Sequence, residues 1–369
     1  MQRRQGDTSE HVPRASVVMT AYTDQRFLDA AVNSILAQEF DDLELIIVDD
    51  ASGKGEVFEA LARRDPRIRI LTNPTNLGTA AAANRGIAAA RGDIILRLDS
   101  DDVAEPAHVG RLVAALDEDS ELGLVGSAVT LIDEEDRVVG LQPMPETDLD
   151  IRWTILFHNP FYHSAVAYRK SLFEAAGTYR VDELVSQDHY LWFDMLPSCR
   201  ARNLAEPLTR YRLNTQGLTV VNATNARNRT HPIREASWAR LGLTYDLYDD
   251  AFARDLTGFI RGADIAIERR GETYRKLLGV LDAFLARSRP FKRGDDAAAA
   301  RQLERRITAR MLASPPLRLK DTLALCVRCW PLHPLAATAT ALRRMALGLA
   351  SRLGRLREKA VPSPKQGPE

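Results

Sequence analysis

The chain has 369 residues, of which 45% are apolar and 27% charged, with a formal net charge of zero; this is the composition of a globular protein with room for one large domain and an extension. Zero net charge excludes a global electrostatic case for nucleic acid, and three cysteines are too few for a disulfide framework. The charge is uneven, however: Arg301 to Glu369 holds 14 Lys and Arg against 4 Asp and Glu, so a basic tail follows an acidic body.

Residues 1–14 are polar and lack an apolar core, so a flexible N-terminus and no signal peptide are expected. Ser16 to Met19 reads as a short buried strand. Phe27, Leu28, Ala31, Val32, Ile35 and Leu36 then recur at helical spacing. Leu43 to Val48 predicts a strand that stops at Asp49-Asp50-Ala-Ser-Gly53, a turn signal. A helix through Val57 to Leu61, a strand at Ile68 to Leu71, an Ala-rich helix from Thr79 to Ala90 and a strand from Asp93 to Leu98 follow. Strands alternating with helices of this length predict an α/β fold, a mostly parallel sheet with helices on both faces. Beyond Asp102 the pattern loosens. Strands are expected at Gly123 to Leu131, Arg137 to Leu141 and Ser164 to Tyr168, and a helix within Leu184 to Leu196. From about Arg227 helical patterns dominate, broken at Pro290, Pro315-Pro316, Pro331 and Pro334, and Val361 to Glu369 is Pro-rich. The expected organisation is an α/β domain over 15–225, a mainly helical extension over 226–360 and a disordered tail over 361–369. No run of about 18 apolar residues predicts a spanning helix, and a cytoplasmic location is expected.

In an open α/β sheet, ligands gather where strands deliver their carboxyl ends. Three strands here end in polar residues: at Thr20-Ala-Tyr22, at Asp49-Asp50 and at Asp99-Ser-Asp-Asp102. Two carboxylates two residues apart can turn toward one hard cation, and Mg²⁺ takes one or two carboxylates plus substrate phosphates. The same aspartates can equally form a solvated turn that caps the next helix. Asp50 is either a grip for a base or ribose, or an Asx-turn residue serving Ser52-Gly53. Tyr22 either stacks on a base or packs on the following helix, and Gly78 and Asn84 have tight-turn and helix-surface readings of their own. Cys326-Val-Arg-Cys329 has metal or redox spacing but no second ligand pair.

The order and spacing of these pieces are those of a known family. Ser16-Val-Val-Met-Thr-Ala-Tyr22, Ser34-Ile-Leu-Ala-Gln38, Leu45-Ile-Ile-Val-Asp-Asp-Ala-Ser52, Asn76-Leu-Gly78, Ala82-Ala-Asn84, Ala90-Arg-Gly-Asp93 and Leu98-Asp-Ser-Asp-Asp102 follow one another without a break. Gly177-Thr-Tyr179, Ser186-Gln-Asp-His-Tyr-Leu-Trp192 and Tyr211-Arg212 continue the series. Residues 14–215 resemble family 2 glycosyltransferases. The resemblance implies a GT-A fold, in which a Rossmann-like nucleotide-binding half merges with an acceptor-binding half. It implies a nucleotide-sugar donor, UDP-linked, with Thr20, Ala21 and Tyr22 around the base, Asp50 on the uracil or ribose, and Gly78, Asn84 and Ser100 in the nucleotide site. Asp99 and Asp101 would hold Mn²⁺ or Mg²⁺, with Asp102 able to share that role. Asp188 would be the general base, Trp192 and His163 would stand at the acceptor side, and transfer would proceed by single displacement with inversion. The implied acceptor is a glycan or a lipid-linked sugar in bacterial cell-surface glycan synthesis.

Five positions depart from the family's pattern: Thr20 replaces a common Pro, Ala83 an Arg, Gln187 a Glu, Asp194 an Arg and Asn214 a His. A sugar nucleotidyltransferase needs a Gly-rich loop after the first strand, which Thr20-Ala-Tyr-Thr-Asp24 lacks, and a non-catalytic nucleotide-sugar binder would have lost the metal or base carboxylates. Finally, Leu342, Met345, Leu349, Leu353 and Leu356 interleave with Arg343, Arg344, Arg352, Arg355 and Lys359. That pattern predicts a basic amphipathic helix that lies on an anionic membrane's inner face or packs on the acidic body.

Overall fold

The computed structural model describes residues 11–23, 25–183, 186–214, 233, 235–244, 250–260, 264–287, 294–315, 318–343 and 345. Most of the expected amphipathic helix, the Pro-rich tail and residues 1–10 lie outside the described residues. Packing divides the chain into two units, 1–237 and 238–369.

The first unit is built on one sheet in the order β3-β2-β1-β4-β8-β6-β9-β5, with β7 paired to β6. Its N-terminal half follows from the apolar runs. β1 (Ala15–Ala21), β2 (Leu43–Asp49), β3 (Ile68–Thr72) and β4 (Ile94–Arg97) pair in parallel. Every residue of β2 is buried, as a parallel strand covered on both faces requires. Alternation sends Val17, Met19, Leu45 and Ile47 to a core with α1 (Leu28–Leu36) and α4 (His108–Glu118), while Val18, Ile46 and Val48 face α3 (Thr79–Ala88). The alanines of α3 let it lie close to the sheet. At Gly86 an added Cβ would come within 2.5 Å of Val18, so only hydrogen fits there. Between β2 and β3 the connection is α2 (Gly55–Ala62).

The other half of the sheet mixes directions. β8 (Val166–Arg169) runs antiparallel to β4 and to β6 (Leu122–Ile132), and β9 (Arg200–Arg212) runs parallel to β6. β5 (Val103–Ala104) closes the edge against β9, and β7 (Val138–Gln142) forms a hairpin with β6. Three helices, α5 (Asp148–Thr154), α6 (Lys170–Ala176) and α7 (Gln187–Met195), link and cover these strands. β9 escaped the sequence reading because it alternates poorly, carries Pro207, and shifts register beside Ala128.

The second unit is helical: α8 (Asp250–Ile260), α9 (Arg270–Arg287), α10 (Gly294–Ala313) and α11 (Leu319–Cys329). Phe259, Tyr274, Leu277, Leu281, Leu303 and Met311 are among its buried side chains. Cys326 and Cys329 are free and buried, and burial pushes the Cys329 thiol up to about 11, which leaves their spacing a helix-packing pattern. Among the described residues no helix is long and apolar enough to cross a membrane.

Candidate active site

The carboxyl ends of β1, β2 and β4 converge as the parallel register requires, and each delivers its polar residues differently. At β2, Asp49 Oδ1 accepts from the Ser52 amide at 2.9 Å, so the Asx-turn duty falls to Asp49 rather than Asp50. Asp50 is only 4% exposed. Its Oδ1 accepts from Asn73 Nδ2 at 2.6 Å and from the Leu77 amide at 2.9 Å, and its Oδ2 accepts from the Gly78 amide at 2.9 Å. Asp50 thus ties down the loop that opens α3, and most of its accepting capacity is spent there. Gly78 itself sits at φ +85° with open space where a Cβ would stand. Tyr22 is 46% exposed beside the buried Ala21.

At β4 the central residue is one the sequence reading passed over. Arg97 is fully buried. Its Nη1 donates to the Val18 carbonyl at 2.5 Å, its Nη2 to Asp99 Oδ1 at 3.1 Å and to Thr20 Oγ1 at 3.5 Å. Its Nε lies 3.4 Å from His163 Nε2, which is also 2.8 Å from the Tyr179 hydroxyl. His163 Nδ1 is 3.8 Å from Asp99 Oδ1. Burial holds the imidazole below its ordinary pKa, partly offset by Asp99, so it is neutral near pH 7. His163 therefore stands beneath Asp99 as a packed, hydrogen-bonded ring. Ser164 Oγ accepts from the Asp99 amide at 3.0 Å, and the Asp99 side chain stays 33% exposed.

The remaining acidic residues are held from β9. Asp101 Oδ2 accepts from Asn214 Nδ2 at 3.1 Å, and its carbonyl accepts from Arg212 Nε at 2.8 Å. Asp102 Oδ1 accepts from the Arg212 amide at 2.8 Å, whereas its buried Oδ2 has no partner. Burial, then the charges of Asp101 and Asp99, push the Asp102 carboxyl well above the usual carboxylate range, and burial and Asp99 raise Asp101. Arg212 is spoken for elsewhere: Nη2 donates to Asp136 Oδ1 at 2.7 Å, Nη1 to the Asp133 carbonyl at 2.9 Å, and the guanidinium lies over Phe27. Ser100, half-buried, completes the turn.

Asp188 occupies the first turn of α7, after Ser186 at φ +65°. Its Oδ2 accepts from Asn159 Nδ2 at 2.5 Å and its Oδ1 from the His189 amide at 2.8 Å. Asn159 is oriented in turn by the Phe161 amide at 3.1 Å. The carboxylate is half-buried. Two expectations need correction. Trp192 has no exposed surface; it packs edge-on to Phe161 and Tyr168 at 5.8 and 5.7 Å, so it supports α7 from below and cannot touch an acceptor. Asn84 makes one hydrogen bond from each end of its amide to the Tyr179 backbone, at 2.8 and 2.9 Å, so its first duty is to position Tyr179 rather than to hold a nucleotide, with one N–H and one lone pair left over. Arg97 and Asn159 were the functional neighbours missed; the one legible signal was a charged residue closing the apolar run Ile94-Ile-Leu96.

Comparison with known proteins bears on the same residues. The Glycosyl transferase family 2 model matches residues 16–177. EpsE of Bacillus subtilis (strain 168), itself a provisionally assigned glycosyltransferase, is 32% identical over 208 residues, spanning 54% of this chain and 73% of that protein. The chain belongs to glycosyltransferase family 2. The amylovoran biosynthesis glycosyltransferase AmsE of Erwinia amylovora is 26% identical over 253 residues, covering 67% of this chain and 89% of AmsE. The crystal structure of residues 1–349 of S. aureus TarS in complex with UDP-GlcNAc aligns over 92% of each chain with a TM-score of 0.50 at 15% identity, a likeness of fold. In this glycosyltransferase the family match takes in both aspartate-bearing turns and His163, and ends before Asp188.

Proposed function

We propose that this glycosyltransferase transfers a sugar from a UDP-linked donor to an acceptor hydroxyl with inversion, Asp99 and Asp101 holding Mn²⁺ or Mg²⁺ and Asp188 serving as general base. The observation that carries the reading is the orphaned Oδ2 of Asp102 behind Asp99 and Asp101. Three carboxylates within four residues, one of them buried with an unanswered oxygen, are offset by Arg97 on Asp99 and in part by Arg212 on Asp101, and so leave the cluster short of positive charge. A hard divalent cation fits that donor set. Among the described residues no group of three or more His, Cys, Asp or Glu side chains is arranged to hold an ion unaided, and Mg²⁺-like sites draw their remaining ligands from substrate phosphates. When bound, the cation neutralises the departing diphosphate.

The chain's own residues supply the rest. Arg97 fixes one oxygen of Asp99, whose side chain stays partly exposed. Tyr22 offers an exposed ring for the base, and the open side of Gly78 leaves room at the start of α3 for the donor. Asn159 and the His189 amide fix the Asp188 carboxylate while leaving it lone pairs for the acceptor proton. With a single base and, among the described residues, no protein nucleophile hydrogen-bonded to it, direct displacement with inversion is favoured. The acceptor is proposed, from the likeness to AmsE, to be a glycan or lipid-linked sugar of surface-polysaccharide synthesis. Three free cysteines favour work on the reducing, cytoplasmic side. Calorimetry of UDP binding tests the metal role. Affinity should rise about tenfold or more, ~1.4 kcal/mol, on exchanging EDTA for Mn²⁺, and Asp101→Ala should abolish that gain. Equal affinity in both buffers rejects the reading.

A further inference from the structure

In the C-terminal unit, α11 and the helix over residues 334–343 enclose an apolar cavity of about 420 Å³ lined by Leu323, Cys326, Trp330, Ala337, Leu342 and Met345. Two of its lining residues face outward, Val327 at 76% exposed and Trp330 at 52%, and Leu335, one residue into the second helix, is 86% exposed. A scattered exposed apolar residue is ordinary, but a contiguous patch around an apolar cavity marks an interaction surface.

The charge around the patch identifies its partner. From Thr322 to Arg357 the sequence contains no Asp or Glu, yet it contains Arg328, Arg343, Arg344, Arg352, Arg355 and Arg357. Beside the patch, α10 exposes Arg301 and Arg305, which with Ala298 and Gln302 line a second cavity of about 350 Å³. The two features adjoin, since His333 Nε2, just past Trp330, lies 3.1 Å from the Arg305 carbonyl. Arg328 is paired with Asp282 and Glu304, which leaves Arg301, Arg305 and Arg343 to face a partner. An apolar rim with an exposed Trp beside such arginines matches a lipid interface, where indole rings sit at headgroup level and arginines meet phosphates. Two copies meeting face to face through this patch would oppose like charges. We propose that this face docks on a bilayer surface bearing anionic phospholipids, with Val327, Trp330 and Leu335 entering the boundary between headgroups and acyl chains. The surface takes in the start of the amphipathic segment, at Leu342 and Met345, and extends it onto α11; it rests on none of the active-site assignments.

The molecule carries its own reporter. Of its four tryptophans, Trp153, Trp192 and Trp238 are buried and Trp330 is exposed. The full chain is mixed with phosphatidylcholine vesicles with and without phosphatidylglycerol, and tryptophan emission, acrylamide quenching and co-sedimentation are read. With phosphatidylglycerol the emission should shift to the blue, quenching should fall, and protein should sediment with the vesicles. Phosphatidylcholine alone, or about 0.5 M salt, should suppress all three. The emission change should vanish in Trp330→Phe. The doubly substituted Val327→Asp, Leu335→Asp chain, altered only at exposed positions, should keep its Tm and lose about tenfold or more in vesicle partitioning. Failure of the wild type to respond to phosphatidylglycerol overturns the proposal, as does a doubly substituted chain that binds as well as the wild type. Trp330 shielded before vesicles are added, with a concentration-dependent mass, would assign the face to a second copy of the chain instead.

Discussion

At the end of β2, Asp49 and Asp50 between them accept from four donors, and Asp50 alone closes the loop that opens α3. At the end of β4, Asp102 is equally buried but keeps an oxygen without a partner, next to two further carboxylates. Both pairs are adjacent aspartates following an apolar strand of the same parallel sheet, so as text they are alike. Their difference lies in what surrounds them. β2 ends beside the 73–78 loop, whose Asn73 side chain and Leu77 and Gly78 amides answer both oxygens of Asp50. β4 ends against the end of β9, from which Arg212 gives Asp102 only its backbone amide, its Nη1 and Nη2 being committed to the Asp133 carbonyl and Asp136, while Asn214 just beyond reaches Asp101. Satisfied buried carboxylates stabilise a fold; an unsatisfied cluster of like charges costs stability and marks a place kept for a ligand.

The comparison sharpens first at Asp188, the carboxylate placed to act on an acceptor. Asp188→Asn keeps the shape but removes the basic oxygen, and it should cut transfer on the order of 10²–10⁴-fold. Metal-dependent UDP binding should persist, because the donor site is elsewhere. An Asn also loses one acceptor toward Asn159 Nδ2 or the His189 amide, so a stability loss of about 1 kcal/mol is expected alongside. Near-wild-type transfer by this variant would return Asp188 to a helix-terminus role.

A smaller effect, on stability, is expected at Asp50. Asp50→Ala strands the Asn73 amide and two backbone N–H groups, and unfolding should become easier by about 3 kcal/mol, read by denaturant titration. A variant of unchanged stability that has lost UDP affinity would break the contrast, making Asp50 a ligand-gripping group after all.

The smallest and most diagnostic change is at Asp102. An acid whose folded pKa is raised binds more protons folded than unfolded, so stability is fully present below its ordinary value of 3.8 and falls as pH rises toward the folded value. Above about pH 4, Asp102 therefore lowers the stability of the metal-free protein. Asp102→Asn should raise metal-free stability by about 1 kcal/mol at pH 8, flatten its decline above pH 4, and weaken Mn²⁺-dependent UDP binding. A destabilised variant with unchanged metal response would place Asp102 with Asp50 among the purely structural carboxylates.

The sequence by itself determined the parallel core. Apolar runs such as Leu43 to Val48, followed by helical spacing and an abrupt polar turn, leave few alternatives, because hydrophobic period and turn chemistry are local properties. The same reading named Asp99, Asp101, Asp102, His163 and Asp188 as members of one site, through the spacing of quoted segments rather than through their surroundings. It did not find β5, too short to show a period, or β9, whose Pro207 and register shifts blur its alternation. Only the tertiary structure decided how each polar atom is used, since hydrogen-bond partners come from segments distant in the chain. Asn84 is spent on Tyr179, 95 positions away, and Arg97 reaches His163, 66 positions on. Trp192 reads as a cleft residue beside Asp188, yet one turn further along the same side of α7 it is covered completely by the rings of Phe161 and Tyr168. Spacing along a chain can say which residues meet at a site, whereas burial and the donors within reach settle which of them remain free to bind.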